Sequence, residues 1–248
     1  MATLGVVVFS FDGMKHLAQC LESVAWADRV MLLHAGNCDP EVGREFPALS
    51  VRRLDSWGEA EGYCAEIGSD WVLYLWGDER VDDALAEELR GIKSRVEPDS
   101  ARAYRLPVRS YILNRWVEGG LTGPSPALRL SRGNAMPSGW WMSDSDAAEI
   151  SRGWIEDRGS GELAAAVERV QALSDFWAAR LIKVAEPPRP LKTIFAALRV
   201  KIKMLLGNRI FGRGLAGVAL AALASYSVLL SGAKLWEARH PKTQRAAK

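Results

Sequence analysis

Short apolar runs alternate with helically spaced segments through the first hundred residues. Residues 5–9, Gly5-Val6-Val7-Val8-Phe9, form an unbroken apolar run fit for a strand buried on both faces. Ser10-Phe11-Asp12-Gly13 is a turn, and residues 14–24 place apolar side chains at 14, 17, 21 and 24, the spacing of one helix face. A second strand is predicted over 29–33, then the loop 34–40, a short helix over 40–46 and a strand over 49–54. Residues 59–67 read as a helix. Residues 71–75, Trp71-Val72-Leu73-Tyr74-Leu75, read as a central buried strand that runs through Trp76-Gly77 to Asp78, before a helix opened by Asp82 and Asp83. Strands alternating with helices predict an α/β fold with a mainly parallel sheet flanked by helices. Ligands of such sheets sit at the carboxyl ends of the strands, so the loops 10–13, 34–39 and 76–79 are expected together on one edge.

The second half has another texture. Residues 103–111 alternate and suggest a β-segment with basic residues on one side, and 116–122 and 127–130 suggest further strands around Gly and Pro turns. Residues 139–155, rich in Trp, Ser and Asp, read as irregular. Residues 162–184 predict a long helix, which ends before Pro187-Pro188-Arg189-Pro190. The boundary is placed there. Residues 1–186 form the main domain, with a half 1–100 and a half 101–186, and residues 187–248 form an appended segment.

Charge sharpens that boundary. Residues 1–186 hold 20 Lys/Arg and 29 Asp/Glu, formally −9, whereas residues 187–248 hold 12 Lys/Arg and the single acid Glu237, formally +11. Residues 191–206 place Ile194, Phe195, Leu198, Ile202, Leu205 and Leu206 on one face and Lys192, Arg199 and Lys203 on the other, the make-up of an interfacial helix on an anionic membrane. Residues 215–233 carry no charge over 19 positions but are rich in Ala, Ser and Gly, with basic residues on both flanks. They predict a helix lying in the membrane interface or a shallow hairpin, with a core-packed helix as the alternative. The aliphatic content argues against nucleic acid. Three cysteines, Cys20, Cys38 and Cys64, share no metal-ligand spacing and suit a reducing compartment. The first strand has no basic region or cleavage site before it, which predicts no secretory signal. A 248-residue chain that is 48% hydrophobic and 25% charged has ordinary globular composition.

Several segments, in order along nearly the whole chain, resemble family 2 glycosyltransferases of the kind that add sugars to lipopolysaccharide core. They are Cys20-Leu21-Glu22-Ser23-Val24-Ala25-Trp26-Ala27-Asp28, Gly68-Ser69-Asp70-Trp71-Val72-Leu73, Asp78-Glu79-Arg80-Val81, Ala103-Tyr104-Arg105-Leu106-Pro107, Asn114-Arg115-Trp116, Leu128-Arg129-Leu130, Ala224-Ser225-Tyr226 and Ala233-Lys234-Leu235-Trp236-Glu237. The resemblance implies a GT-A-like nucleotide-sugar domain. It also implies transfer of a hexosyl or heptosyl group to a lipid-linked saccharide at the cytoplasmic face of the bacterial inner membrane, with peripheral or monotopic attachment.

The departures from the family fall among its acids. The usual acid after the first strand is Gly13, with Asp12 beside it; the first acid of the next loop is His34, followed by Asp39; the Asp-x-Asp reads Trp76-Gly77-Asp78. By the resemblance, Asp78 is the metal ligand for manganese or magnesium, which would neutralise the leaving diphosphate. Its bland alternative is a turn-shaping acid. Ser10, Asp12, His34, Asp39 and Trp76 fall at the nucleotide-sugar side; Trp76 stacks on a ligand or simply packs. Asp144 and Asp146 stand where the catalytic loop supplies a general base. Arg105, Arg109 and Arg129, with Arg115, are candidates to grip acceptor phosphate or acidic sugar. The replaced acids keep open an alternative: a catalytically inactive relative that serves as a binding or scaffold module at the membrane. A third reading, a membrane-surface protein with no sugar ligand, rests on the basic segment alone.

Overall fold

A computed structural model describes residues 2–36, 46, 49–94, 101–133, 147–159, 161–207 and 214–240. The strands are β1 (Leu4–Phe11), β2 (Arg29–Ala35), β3 (Leu49–Leu54), β4 (Trp71–Trp76), β5 (Glu79–Val81), β6 (Ala103–Leu106), β7 (Val108–Ile112), β8 (Arg115–Glu118), β9 (Ala127–Arg132), β10 (Ala147–Glu149) and β11 (Ile155–Asp157). The helices are α1 (Leu17–Ser23), α2 (Ala60–Glu66), α3 (Asp83–Ser94), α4 (Leu163–Lys183), α5 (Pro190–Gly207) and α6 (Gly214–Arg239). The helix expected over 40–46 falls almost wholly outside the described residues.

Seven strands form the main sheet in the order β10-β6-β9-β4-β1-β2-β3. β3, β2, β1 and β4 are mutually parallel, β9 runs against β4 and β6, and β10 is parallel to β6. This is the α/β, mainly parallel arrangement that the alternating pattern predicts, consistent with the GT-A-like fold that the resemblance implies. A second sheet, β5-β11-β7-β8, lies beyond the end of β4.

Alternation along each central strand sends successive side chains to opposite faces. Val7 and Phe9 of β1 join Val72, Tyr74 and Trp76 of β4 in one core, covered by α4, α5 and α6. Leu4, Val6 and Val8 join Trp71, Leu73 and Leu75 in the other, covered by α1 and α3. Every residue of β4 is buried, so its continuous apolar run reflects cover on both faces.

The structure refines three boundaries. The single alternating segment over 103–111 is two strands in two sheets. Pro107, which lacks an N–H and has a fixed φ, ends β6 and lets β7 start anew. The segment 139–155, read as irregular, contains the three-residue strand β10 and the first residue of β11, whose pairings are too distant in sequence to leave a local periodic signal. The residues after Asp78 form β5 before the helix starts. In addition, α5 and α6 share one apolar core with the sheet: Ala197, Val200, Met204, Leu220, Ala224 and Val228 are buried in the same cluster as Val7 and Phe176.

Candidate functional site

The carboxyl edge of the parallel strands brings the β1, β2 and β4 ends together. The register pairs Ser10 with His34 and Phe9 with Trp76. His34 is buried, with Nδ1 3.2 Å from Ser10 Oγ and Nε2 3.2 Å from Asp12 Oδ1. An ionised Asp12 can only accept, so Nε2 carries the proton; in the neutral ring, Nδ1 then accepts from the Ser10 hydroxyl. The order hydroxyl–imidazole–carboxylate is that of an activated nucleophile. However, Ser10 is 1% exposed and its hydroxyl lies against Gly77, buried among the described residues. Both ring nitrogens of His34 are committed inside the protein, while the Asp12 side chain is 61% exposed.

Asp78 is held from several sides. The backbone N–H of His16, just before α1, donates to its Oδ1 at 3.1 Å, and Arg169 of α4 brings Nε to 3.5 Å from Oδ2. Arg169 also donates from Nη1 to Asp157 Oδ1 at 2.6 Å, and Asp157 accepts from Gly159 N–H at 3.1 Å and from Ser110 Oγ at 3.3 Å. Asp78, Asp157 and Arg169 are all buried. A β-carbon at Gly159 would overlap Asp78 Oδ2, so glycine at this position lets the backbone come up against the carboxylate. Burial pushes the Asp78 carboxyl above its usual pKa, with Arg169 and the His16 N–H offsetting part of that rise. Burial lowers the Arg169 value, but Asp157 and Asp78 outweigh it and the net shift is upward.

A second buried pair stands beside the first. Arg129 donates from Nη2 to Glu79 Oε1 at 2.5 Å and lies 3.2 Å from Thr122 Oγ1; the other Glu79 oxygen accepts the Trp76 N–H at 2.8 Å. Burial raises the Glu79 pKa, opposed by Arg129. Arg129, a candidate for the acceptor side, thus points into the interior and ties β9 to the turn after β4. Trp76, a candidate for the donor side, also points inward. Its ring packs at 5.3 Å from Phe9, 6.1 Å from Trp57 and 5.1 Å from Phe176, centroid to centroid.

A divalent ion needs several oxygen ligands at about 2.0–2.6 Å. One Asp78 oxygen takes the His16 N–H and the other faces Arg169 under Gly159. No group of three or more His, Cys, Asp or Glu able to hold a metal occurs among the described residues. These residues do not fit a divalent cation at Asp78, because the Arg169 guanidinium already supplies the positive charge there.

Next to Asp78 a cleft of about 190 Å³ is lined by Asp12, Lys15, His16, Arg158, Glu162 and Glu168, among others. Asp12 and Asp78 therefore share one edge, as expected for the loops after β1 and β4. Asp39, Asp144 and Asp146 lie outside the described residues. Among the described residues the cleft's charged lining has a slight acidic excess, with Lys15, Arg158 and Arg169 against Asp12, Asp78, Glu162 and Glu168.

The expected acceptor side forms a basic-aromatic face on the second sheet. Arg109 pairs with Glu156 and lies over the rings of Trp116, at 4.8 Å, and Trp154, at 5.4 Å. Arg158 reaches the other Glu156 oxygen at 3.1 Å and also lies near Trp116, at 5.7 Å. Burial alone would raise the Glu156 pKa, but hydrogen bonds from Arg109 and Arg158 bring it below the usual value. Arg105 stands apart on β6, half-buried and in register with Glu149.

Asp157, Glu156, Arg158 and Arg169 escape sequence reasoning. The one usable signal is Arg169, which falls within the apolar stripe Ala166, Val170, Leu173, Trp177 of α4. A charge in a buried stripe needs a buried partner.

No protein-family model matches the chain. Among solved structures, it is similar to TarS of S. aureus at 14% identity and TM-score 0.39, over 95% of this chain and 55% of TarS. It is similar to HddC of Yersinia pseudotuberculosis at 9% identity and TM-score 0.33, over 64% of this chain and 90% of that one. It is also similar to a protein described as a glucose-1-phosphate thymidylyltransferase from Bacillus anthracis, in complex with a sucrose, at 14% identity and TM-score 0.38, over 69% and 95% of the two chains. The chain thus spans about half the length of TarS. The fold assignment rests on strand order and direction.

Proposed function

We propose that this chain is a family 2 glycosyltransferase-like protein of bacterial envelope biosynthesis, of the lipopolysaccharide type. It binds a nucleotide-sugar in the edge cleft and meets a lipid-linked saccharide at the cytoplasmic face of the inner membrane. The observation that carries this reading is the convergence of Asp12, Lys15 and Arg158 beside Asp78 at the carboxyl edge of the parallel strands, where ligands of such sheets lie. The donor diphosphate meets Lys15 and Arg158 in place of a metal ion. The Arg109–Trp116–Trp154 face offers stacking surface and charge to a saccharide. Asp144 or Asp146 supplies the base that takes the acceptor hydroxyl proton, a role that rests on the sequence resemblance.

The membrane part of the reading rests on two exposed stripes. At about 100° per residue, Leu191, Ile194, Phe195, Leu198, Ile202 and Leu206 of α5 fall within an arc of about 120°, and all six are exposed. The opposite side of α5 is buried through Ala197, Val200 and Met204. Lys192, Arg199 and Lys203 flank the exposed arc. On α6, Leu215, Val218, Ala222, Tyr226, Leu229 and Trp236 form a second exposed line, although this helix is also long and apolar enough for a span and half of its apolar window is buried. An apolar stripe bordered by cations suits a helix lying on an anionic leaflet.

A second reading, a catalytically inactive relative acting as a binding or scaffold module, is favoured by the Asp78–Arg169 pair and by the slight acidic excess of the cleft lining. The experiment is a panel of nucleotide-sugars tested for binding by calorimetry and for nucleoside diphosphate release. Binding with release supports the transferase; binding without release supports the scaffold; no binding by any member removes both.

A further inference from the structure

The ends of α4 and α6 and the start of α5 leave a groove of about 380 Å³ between them, within the roughly 300–1,000 Å³ of small-molecule sites. Its floor is apolar: Trp177, Leu181, Ala196, Val228 and Leu235. A β-carbon at Gly232 would overlap Thr193, so α5 and α6 touch backbone to side chain there, at one wall of the groove. The lining also includes three cations, Arg180, Arg189 and Lys192, and one acid, Glu186, which lies 3.0 Å from Lys192. Arg189 and Lys192 are exposed and Arg180 is half-buried. Leu191, between Arg189 and Lys192 in sequence, begins the exposed apolar stripe.

An apolar slot lined in part by excess positive charge matches one ligand chemistry: an alkyl chain that ends in an anionic headgroup. We propose that this groove holds one acyl chain of an anionic phospholipid, with the phosphate at Arg189 and Lys192. The inference extends the membrane reading of α5 and α6 from lying on a leaflet to holding a single lipid. The chain would lie against Trp177, Val228 and Leu235. The cations would choose the headgroup.

The test uses the full chain with two probes, phosphatidylglycerol and phosphatidylcholine. Native mass spectrometry from mixed micelles should retain one phosphatidylglycerol per protein, with at least tenfold less phosphatidylcholine. Ala196→Phe, which fills the groove from α5, should abolish retention. Arg189→Gln with Lys192→Gln, both exposed and outside the core, should leave folding intact and remove the headgroup preference. Equal retention of the two lipids by the wild type, or unchanged phosphatidylglycerol retention by the double variant, overturns the proposal. Phe195→Asp with Leu198→Asp separates this from leaflet attachment: it should cut sedimentation with phosphatidylglycerol vesicles at least tenfold and leave the micelle-retained lipid in place. A wild type that retains the lipid but does not sediment contradicts leaflet attachment alone and supports the groove.

Discussion

At the scale of single residues, Arg169 explains more of the site than any acid does. It stands between Asp78 and Asp157, all three buried, and removing it leaves two carboxylates without their cation. Breaking a buried pair in this way costs about 3–5 kcal/mol. Arg169→Met is expected to lose that much in urea unfolding, and Asp78→Asn less, since Asp157 still pairs the arginine. The sign of the pH dependence follows from the raised Asp78 pKa. The native state holds a proton that the unfolded chain has already lost, so the contribution of Asp78 to stability falls as pH rises from its ordinary value toward the native one, and levels off above that. The wild type should therefore lose stability relative to Asp78→Asn as pH is raised through this window, read by urea titration at acid and neutral pH. Trp76 illustrates what sequence reasoning can and cannot see. Its position at a strand end is legible, but the direction of its side chain follows from strand alternation and from the Phe176 and Trp57 rings that meet it. Trp76→Ala should cost about 3–5 kcal/mol in stability.

At the scale of elements, the strands buried on both faces and the long helices are legible because their period repeats over many residues. The edge of the site is less so. β5 and β11 have three residues each and exist through pairing with each other and, for β11, with β7. Asp157, at the end of β11, comes beside Asp78 across 79 positions of sequence, a neighbourhood no local pattern encodes. α5 was legible as an amphipathic helix, but not its second stripe: Ala197, Val200 and Met204 read as small or scattered until α6 packs on them. The exposed stripe makes the element-scale prediction. Phe195→Asp with Leu198→Asp should leave the melting temperature within about 2 °C, since surface changes stay near ±0.5 kcal/mol. Vesicle sedimentation should fall at least tenfold, because the stripe carries the apolar share of binding and each flanking Lys or Arg adds only about 1 kcal/mol. The apolar share should persist at high salt in the wild type.

At the scale of the molecule, an α/β sheet presents one edge cleft, and the helices of the basic C-terminal segment complete the core on one sheet face while exposing apolar residues outward. In the proposed reading a nucleotide-sugar at the cleft works without a divalent ion, because Asp78, the carboxylate that the resemblance assigns to one, is paired with Arg169. Lys15→Ala and Arg158→Ala should each weaken nucleoside diphosphate binding about tenfold or more, the loss expected for one charge-assisted hydrogen bond. The most direct measurement is calorimetric titration of the full chain with nucleoside diphosphates, in excess EDTA and again with manganese. The expected result is binding of equal affinity in both, unchanged by Asp78→Asn. Affinity at least tenfold higher with manganese, lost on Asp78→Asn, would contradict it and return the metal ion to Asp78.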